Sequence, residues 1–556
     1  MLLTNWIALA QPQVLRLAVD DLYKGVTAGK LGRYALILFG IAIAGGAFKY
    51  WMRHFVIGVS RHVEYDLRND LFDRLLELPA EYFQEHRTGE LMSRATNDLA
   101  AVRMMLGPGL MYLVNTLAVG TAAMFLMLAI SPRLTLYALL PLPLISLSVW
   151  FFGERIERGF EAVQAQFADL AARVQENLSG VRVVRSFARE DRELDEFGDL
   201  NRQYLEKNYG LIRHWGFFHP WLAFLSGLAA LLALYVGGRE VVKGHITLGA
   251  FVAFTVYLAM LNWPMYALGW VVNLWQRGIA SFRRLDEILQ AVPAIRSAPD
   301  AIEPAGCQGT LEFRRLTFTY PGADRPALRD VSLEIPAGRT VAIVGRTGAG
   351  KSTLLSLLPR LFDPPPGTVF LDGVDIRSVD LGWLRSRLAI VPQDTFLFST
   401  TLAENIAFGV AVAEPGAVER AARVARLDDD VRLFPQAYQT VVGERGITLS
   451  GGQRQRTAIA RAVLRDAPVV LLDDCLSSVD TQTEEGILHG LRAETRHRTA
   501  LLVSHRVSAV RDADLIVVLE DGAIVERGTH DSLLELDGRY ADLHRRQQLE
   551  DELEAS

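Results

Sequence analysis

The residues best placed to do chemistry lie in the second half of the chain. Gly345-Arg346-Thr347-Gly348-Ala349-Gly350-Lys351-Ser352 follows the apolar run Thr340–Val344 and opens a helical run that starts with Ser352-Thr353. Strand, glycine-rich loop and helix in that order form a phosphate-binding loop. The glycines let backbone N–H groups approach phosphate oxygens, and the helix N-terminus adds its dipole. Lys351 is placed to reach the outer phosphates of a nucleotide and the Ser352 hydroxyl to hold Mg2+. An ordinary glycine turn is the competing reading, and the flanking strand and helix argue against it.

Such a loop needs a carboxylate beside the metal, at the end of a buried strand. Val469-Val470-Leu471-Leu472-Asp473 supplies one. The next residue, Asp474, stands where a water-activating carboxylate is expected. An Asp after a strand is elsewhere often a turn or cap residue. Leu449-Ser450-Gly451-Gly452-Gln453 then opens a second helix. Serine and two glycines at a helix start make another anion site. One nucleotide needs one phosphate loop, so a second anion site in the same region implies action on a nucleotide held by another chain.

These residues need a frame. From Thr310 short β-rich runs alternate with helical patterns: 311–318, 340–344, 368–371, 388–391, 469–472, 500–503 and 515–519. That alternation predicts an α/β region with a largely parallel sheet. Before residue 280 the texture differs. Apolar runs cover 34–51, 110–130, 134–152, 221–236 and 248–272. Each is near the ~20 residues that a helix needs to cross a hydrocarbon core. Residues 1–18 are apolar but broken by Asn5, Gln11, Pro12, Gln13 and Arg16. They read as a sixth spanning helix lacking its first turns, and poorly as a signal peptide. Arginines crowd the connections after the second and fourth helices, among them Arg61, Arg74, Arg94, Arg155, Arg185 and Arg202. Positive loops mark the cytoplasmic side. Apolar spacing at Leu67, Leu71, Leu75 and Leu78 makes these connections helical stalks that leave the membrane and return.

Composition sets limits. The 556 residues are 50% hydrophobic and 22% charged, with formal net charge −6. A mainly disordered chain is excluded, and the acidic balance argues against nucleic acid as a partner. Two cysteines, Cys307 and Cys475, stand far apart in no CxxC, which disfavours a disulfide scaffold or zinc site.

With these motifs in order, the chain resembles the ATP-binding cassette exporters over nearly its whole length. The match includes Tyr320 in Phe318-Thr-Tyr-Pro-Gly, the phosphate loop, Gln393 in Val391-Pro-Gln-Asp, the signature at 449–453, Asp473, Ser478-Val479-Asp480 and His505 in Ser504-His-Arg. The resemblance implies ATP and Mg2+ as cofactors and two cassettes facing head to tail. Tyr320 would stack on adenine. Residues 345–353 of one chain, with Asp480, and Ser450, Gly451, Gly452 and Gln453 of another would enclose each ATP. Ser352, Gln393 and Asp473 would serve the metal, with Asp474, Gln393 and His505 in the catalytic group. Residues 79–89 and about 186–193 look like the helices that couple the stalk tips to the cassettes.

One departure matters. The family carries Glu after the strand aspartate, and this chain carries Asp474. Beside an intact signature, this looks like the degenerate member of a heterodimeric exporter. The expected order is an all-α transmembrane domain at 1–291, a linker at 292–309, an α/β nucleotide-binding domain at 310–545 and a charged tail at 546–556, with residues from Arg545 a frayed helix end. The expected function is ATP-driven export or flipping of amphipathic or hydrophobic compounds, of multidrug or lipid type, across the membrane by a multi-pass inner-membrane protein with the nucleotide-binding domain cytoplasmic. A heterodimer is favoured over a homodimer that uses Asp474. An ATP-binding gating subunit with little hydrolysis is the rival. Tyr112, Asn115, Trp215, His219, Asn262, Trp263, Tyr266, Trp270, Asn273 and Trp275 are candidates for an aromatic, sparsely polar wall around the cargo.

Overall fold

The computed structural model describes residues 1–443, 449–479 and 481–555. They form two compact units, one of residues 1–73 and 89–290, the other of residues 74–88 and 291–556.

The first unit is built of long helices: Leu2–Tyr23, Ala28–Glu77, Thr88–Ile130, Pro132–Ser179, Glu190–Val242 and Leu248–Gln290. Among the described residues, the second to fifth are long and apolar enough to cross a membrane, and Leu248–Leu261 is a shorter apolar stretch. The first helix runs through Pro12 without ending. Prolines inside membrane helices are tolerated where neighbours re-satisfy the backbone. The second helix exposes Leu36 and Phe39, an apolar surface that suits lipid. Ser131 accepts a hydrogen bond from Leu134 N–H at 3.2 Å and so caps the fourth helix, which Pro132 opens. The core joins Leu9, Ala123, Met127, Leu134, Ala233, Phe254 and Tyr257. The Tyr257 hydroxyl donates to the Leu9 carbonyl at 3.0 Å, so its one polar atom is satisfied in that core.

The cytoplasmic extension of the third helix loosens twice into π turns, Arg94–Asp98 and Met105–Gly109. There Asp98 accepts from Arg284 Nε at 2.9 Å and from Ser281 Oγ at 2.8 Å. The Arg284 guanidinium holds the Asp98 carboxyl below its usual range.

In the second unit, a six-stranded sheet has the order β10-β9-β3-β8-β7-β6. Its strands are β3 (Thr340–Val344), β6 (Leu388–Val391), β7 (Val469–Asp473), β8 (Thr499–Val503), β9 (Leu515–Glu520) and β10 (Ala523–Gly528). All pairs are parallel except β9 with β10. Both faces of β7 and β8 are buried, as parallel strands under helices require. A separate four-stranded antiparallel sheet, β2-β1-β4-β5, holds β1 (Leu311–Phe318), β2 (Leu328–Ile335), β4 (Val369–Leu371) and β5 (Val374–Asp375). The alternation pattern did not separate this sheet. Its second strand alternates buried and exposed residues, the mark of an antiparallel sheet with one covered face.

One expectation shifts. The short helix of the second stalk tip is Val181–Ser186, upstream of 186–193, because the long helix already resumes at Glu190. The first stalk tip forms the helix Ala80–Glu85 within 79–89. The end of the chain is helical over Arg539–Ala555, so the helix end expected from Arg545 belongs to a helix that already begins at Arg539. Gln547 anchors that helix. It accepts from the Val507 N–H at 2.7 Å and donates to the His505 carbonyl.

Candidate functional site

Four neighbouring parallel strands bring the motifs to one edge. The phosphate loop follows β3, Gln393 follows β6, Asp473 ends β7 and His505 follows β8. Crevices at the carboxyl ends of parallel strands are where α/β sheets bind ligands.

The loop needs its glycines. Gly350 takes φ +98° at the cap of the helix Lys351–Leu357, and a Cβ there would lie 2.6 Å from the Ala327 carbonyl. A Cβ on Gly345 would lie 2.2 Å from the Leu519 carbonyl. No side chain fits either place. Lys351 curls over the loop, its Nζ 2.8 Å from the Gly345 carbonyl and 2.9 Å from that of Arg346. Burial pushes the Lys351 ammonium below its usual range, against the pull of Asp474 and Asp473. The Tyr320 ring stands edge-on to Phe318 and Phe362, with centroids 5.0 Å away in each case. Its hydroxyl donates to Thr353 Oγ at 3.0 Å, which ties this aromatic to the first turn after the loop.

Asp473 is 9% exposed, and its Oδ1 is buried without a hydrogen-bond partner. Burial raises its carboxyl above the usual range, while a hydrogen bond from Ser352 and the charge of Lys351 work the other way. A buried carboxylate oxygen without a donor, beside a serine hydroxyl, fits a hard cation. Among the described residues no group of three or more His, Cys, Asp or Glu could hold a metal by itself. One carboxylate and one hydroxyl are the sparse protein set that Mg2+ accepts when phosphates and waters complete its shell.

Asp474 has φ +42°, in the left-handed region, and donates its N–H to the Val503 carbonyl at 2.9 Å. Aspartate tolerates that backbone better than longer side chains do.

The signature is built differently. Ser450 caps the helix Gly451–Arg465 by accepting from Gln453 N–H at 3.2 Å, and Gln453 Oε1 accepts from Ser450 N–H at 3.0 Å. This reciprocal capping box fixes the helix start. Gln453 Nε2 then donates to Asp430 at 3.0 Å. Gln393 shares a polar cleft of about 500 Å³ with Gly451, Arg454, Ser477 and Ser478. Asp480 lies outside the described residues.

Sequence reasoning missed the contacts that wire these motifs together. Gln455 donates to Ser477 Oγ at 3.0 Å and accepts from Ser478 N–H at 3.0 Å. Arg506, next to His505, donates to the Val479 carbonyl at 3.1 Å and pairs with Glu484, which is 1% exposed. Gln547 holds the same turn from the far side. Gln455 and Arg506 adjoin recognised motifs, but nothing in the spacing of Gln547 marks it.

Of the aromatic wall, Tyr112, Asn115 and Trp263 line one cavity in the first unit. Tyr112 packs edge-on to Trp270 at 5.1 Å. Trp215 and His219 pair with each other, 5.0 Å apart, and do not line it. Trp275 has a buried Nε1 without a partner. The side chains of Asn262 and Tyr266 lie outside the described residues.

A multi-pass helical region and a phosphate-loop sheet with a signature helix define a membrane-bound nucleotide-binding protein of the transporter class. Residues 1–265 match the ABC transporter transmembrane region family and residues 328–477 match the ABC transporter family. The chain is 39% identical to the multidrug resistance-like ATP-binding protein MdlA of Escherichia coli, over 98% of this chain and 92% of that protein. It is 37% identical to the probable multidrug resistance transporter YheI of Bacillus subtilis, over 99% and 94%. It is 34% identical to the ATP-dependent lipid A-core flippase of Syntrophus aciditrophicus, over 100% and 92%. A bacterial Atm1-family ABC exporter solved with ATP bound superposes with a TM-score of 0.79 at 30% identity, covering 98% and 96%. The chain belongs to the ABC transporter family, as a membrane region and an ATPase region fused in one polypeptide. It is a multi-pass protein of the inner membrane with the ATPase region in the cytoplasm.

Proposed function

We propose that this chain is one half of a dimeric exporter that moves amphipathic compounds across the membrane at the expense of ATP, and that its own ATP site turns over slowly. The observation that carries the second part is Asp474 on left-handed backbone, beside a fully capped signature helix. Names of relatives that speak of multidrug resistance and lipid A flipping support an amphipathic cargo.

In this reading the loop 345–353 cradles the phosphates and Lys351 neutralises them. Tyr320 offers its ring to adenine. Ser352, Asp473 and Gln393 hold Mg2+, which supplies charge neutralisation at the phosphates when bound. Asp474 orients the attacking water and His505 contacts the terminal phosphate. Asp480 completes the facing surface. Ser450, Gly451, Gly452 and Gln453 close over the ATP of a partner half, favoured here as a different chain that carries Glu at the position of Asp474. The proposed boundaries are membrane domain 1–291, linker 292–309 and nucleotide-binding domain 310–545, with residues 546–556 beyond it.

A vanadate-sensitive ATPase activity of the assembled pair, stimulated by an amphipathic compound, is the expected result. Asp474 also favours a second reading, a subunit that binds ATP and gates without transporting. Tight ATP binding with no stimulation by any amphiphile and no vanadate sensitivity would select that reading.

A further inference from the structure

The first unit contains a cavity of about 670 Å³ among the first, second, third and sixth long helices. Its walls are mostly apolar, with Tyr112 and Trp263 among them. Its charge is one-sided. Lys49 and Arg53, one turn apart on the second helix, both line it, and among the described residues no Asp or Glu does. Among the described residues neither cation has an ion-pair partner. Asn5, Gln11 and Asn115 add amides. Asn5 is 6% exposed, and its Nδ2 is buried without a partner.

Depth matters as much as sign. Lys49 lies 21 residues beyond Ala28, where the second helix begins. At 1.5 Å per residue that is about 32 Å, the thickness of a hydrocarbon core, so the cations sit at the level of the cytoplasmic leaflet. Ionisable residues within membrane helices face a protein interior or a polar cavity and mark the path of a ligand. Plain snorkelling toward lipid headgroups would place such cations on the outer surface of the bundle. These two are exposed in the single half, and both line the open cavity.

We infer that this cavity selects amphiphiles with an anionic head, a phosphate, sulfonate or carboxylate seated between Lys49 and Arg53 with its apolar body against the aromatic wall. The inference rests on the export reading and names its cargo class. A cationic amphiphile of the same size finds no counter-charge here and meets repulsion. The anion can come from the bilayer, as an anionic lipid, or from solution, as a free organic anion.

The test uses the full chain assembled with its partner in nanodiscs of neutral phosphatidylcholine. Dansyl-labelled dodecyl phosphate and dansyl-labelled dodecyltrimethylammonium are the probes, read by fluorescence anisotropy. The phosphate is expected to bind at least about tenfold tighter than the ammonium. The pair Lys49→Gln and Arg53→Gln should lose that preference. The pair Lys49→Glu and Arg53→Glu should reverse it, a gain that a misfolded variant cannot mimic. Equal binding of the two probes by the wild type, or an unchanged preference in both double variants, overturns the inference. Nanodiscs containing phosphatidylglycerol separate the sources. Loss of probe binding there, dependent on Lys49 and Arg53, assigns the site to anionic lipid, and retained binding assigns it to a free anion. ATPase activity is read in parallel. Anion binding that never stimulates hydrolysis leaves the site standing and removes the export reading.

Discussion

The two anion-binding ends of the ATPase region are built to different standards. At the signature, a capping box, the Gln453–Asp430 bond and the Gln455 bonds to Ser477 and Ser478 fix the helix start from several sides. At the carboxyl edge of β7, Asp474 is a short side chain on left-handed backbone, its N–H donating to the Val503 carbonyl and its own carbonyl accepting from Ser477 N–H. In the proposed reading, the fixed geometry thus belongs to the element that serves another nucleotide. On the same reading, its own site keeps Lys351 over the loop and Asp473 with a free buried oxygen, and Asp474 gives it a short reach to the attacking water.

The largest effect that could break this contrast is in the signature. Ser450→Arg should remove the cap and fill the anion site, lowering turnover of the assembled pair by about 100-fold or more. Lys351→Ala should cost less than about tenfold, because it strikes the slower site. A steady-state ATPase assay checks both, and a deader Lys351→Ala complex would reverse the assignment of the two ends.

Asp474→Glu sharpens the contrast from the other side. Aspartate is one methylene shorter, and misplacement by about 1 Å can cost around 10²-fold. Glutamate at φ +42° adds backbone strain of roughly 1 kcal/mol. The expected gain in single-turnover hydrolysis at this site is therefore about tenfold, short of the full correction.

Gln547 tests whether the turn that carries His505 is positioned from the C-terminal helix. Gln547→Ala removes two hydrogen bonds worth about 1 kcal/mol each. Turnover should fall by a few-fold with ATP affinity little changed, and Gln547→Glu, which keeps the acceptor for Val507 N–H, should recover part of it. Equal loss in both variants would mark Gln547 as merely structural.

The smallest effect is in the cytoplasmic extensions of the membrane helices. Asp98 has its carboxyl lowered by Arg284. A lowered folded-state value stabilises above the unfolded carboxylate range, near pH 4, and the contribution is lost as pH falls through the folded value. Asp98→Asn should lower the thermal midpoint at pH 7, and its gap from the wild type should shrink below about pH 4. A gap independent of pH would remove the ion pair from the account.

Much of this was legible in the sequence, for definable reasons. The phosphate loop, Asp473 and the signature are local motifs whose chemistry needs fixed spacing, and the strands that carry them are continuous apolar runs. The strand β2 was not legible because Leu328–Ile335 alternates and includes charged Arg329 and Asp330. The second stalk turn was misplaced because Val181–Ser186 has the same helical composition as its neighbours. Lys49 and Arg53 sit at the end of the apolar run 34–51 and just beyond it, where nothing in the sequence sets them apart, and only the packing of four helices puts them on one cavity. Gln547 sits in a polar tail whose composition resembles surface, and its role depends on a contact 40 residues away.

The central claim is that Asp474 makes this chain's own site slow. The direct measurement is single-turnover hydrolysis in an assembled complex whose partner lacks its catalytic glutamate, with Asp474 unaltered. The account predicts that Mg-ATP binds tightly at this chain's site and that hydrolysis there lags the unmodified complex by around 10²-fold. Hydrolysis at the full rate would contradict it and would make Asp474 a working base.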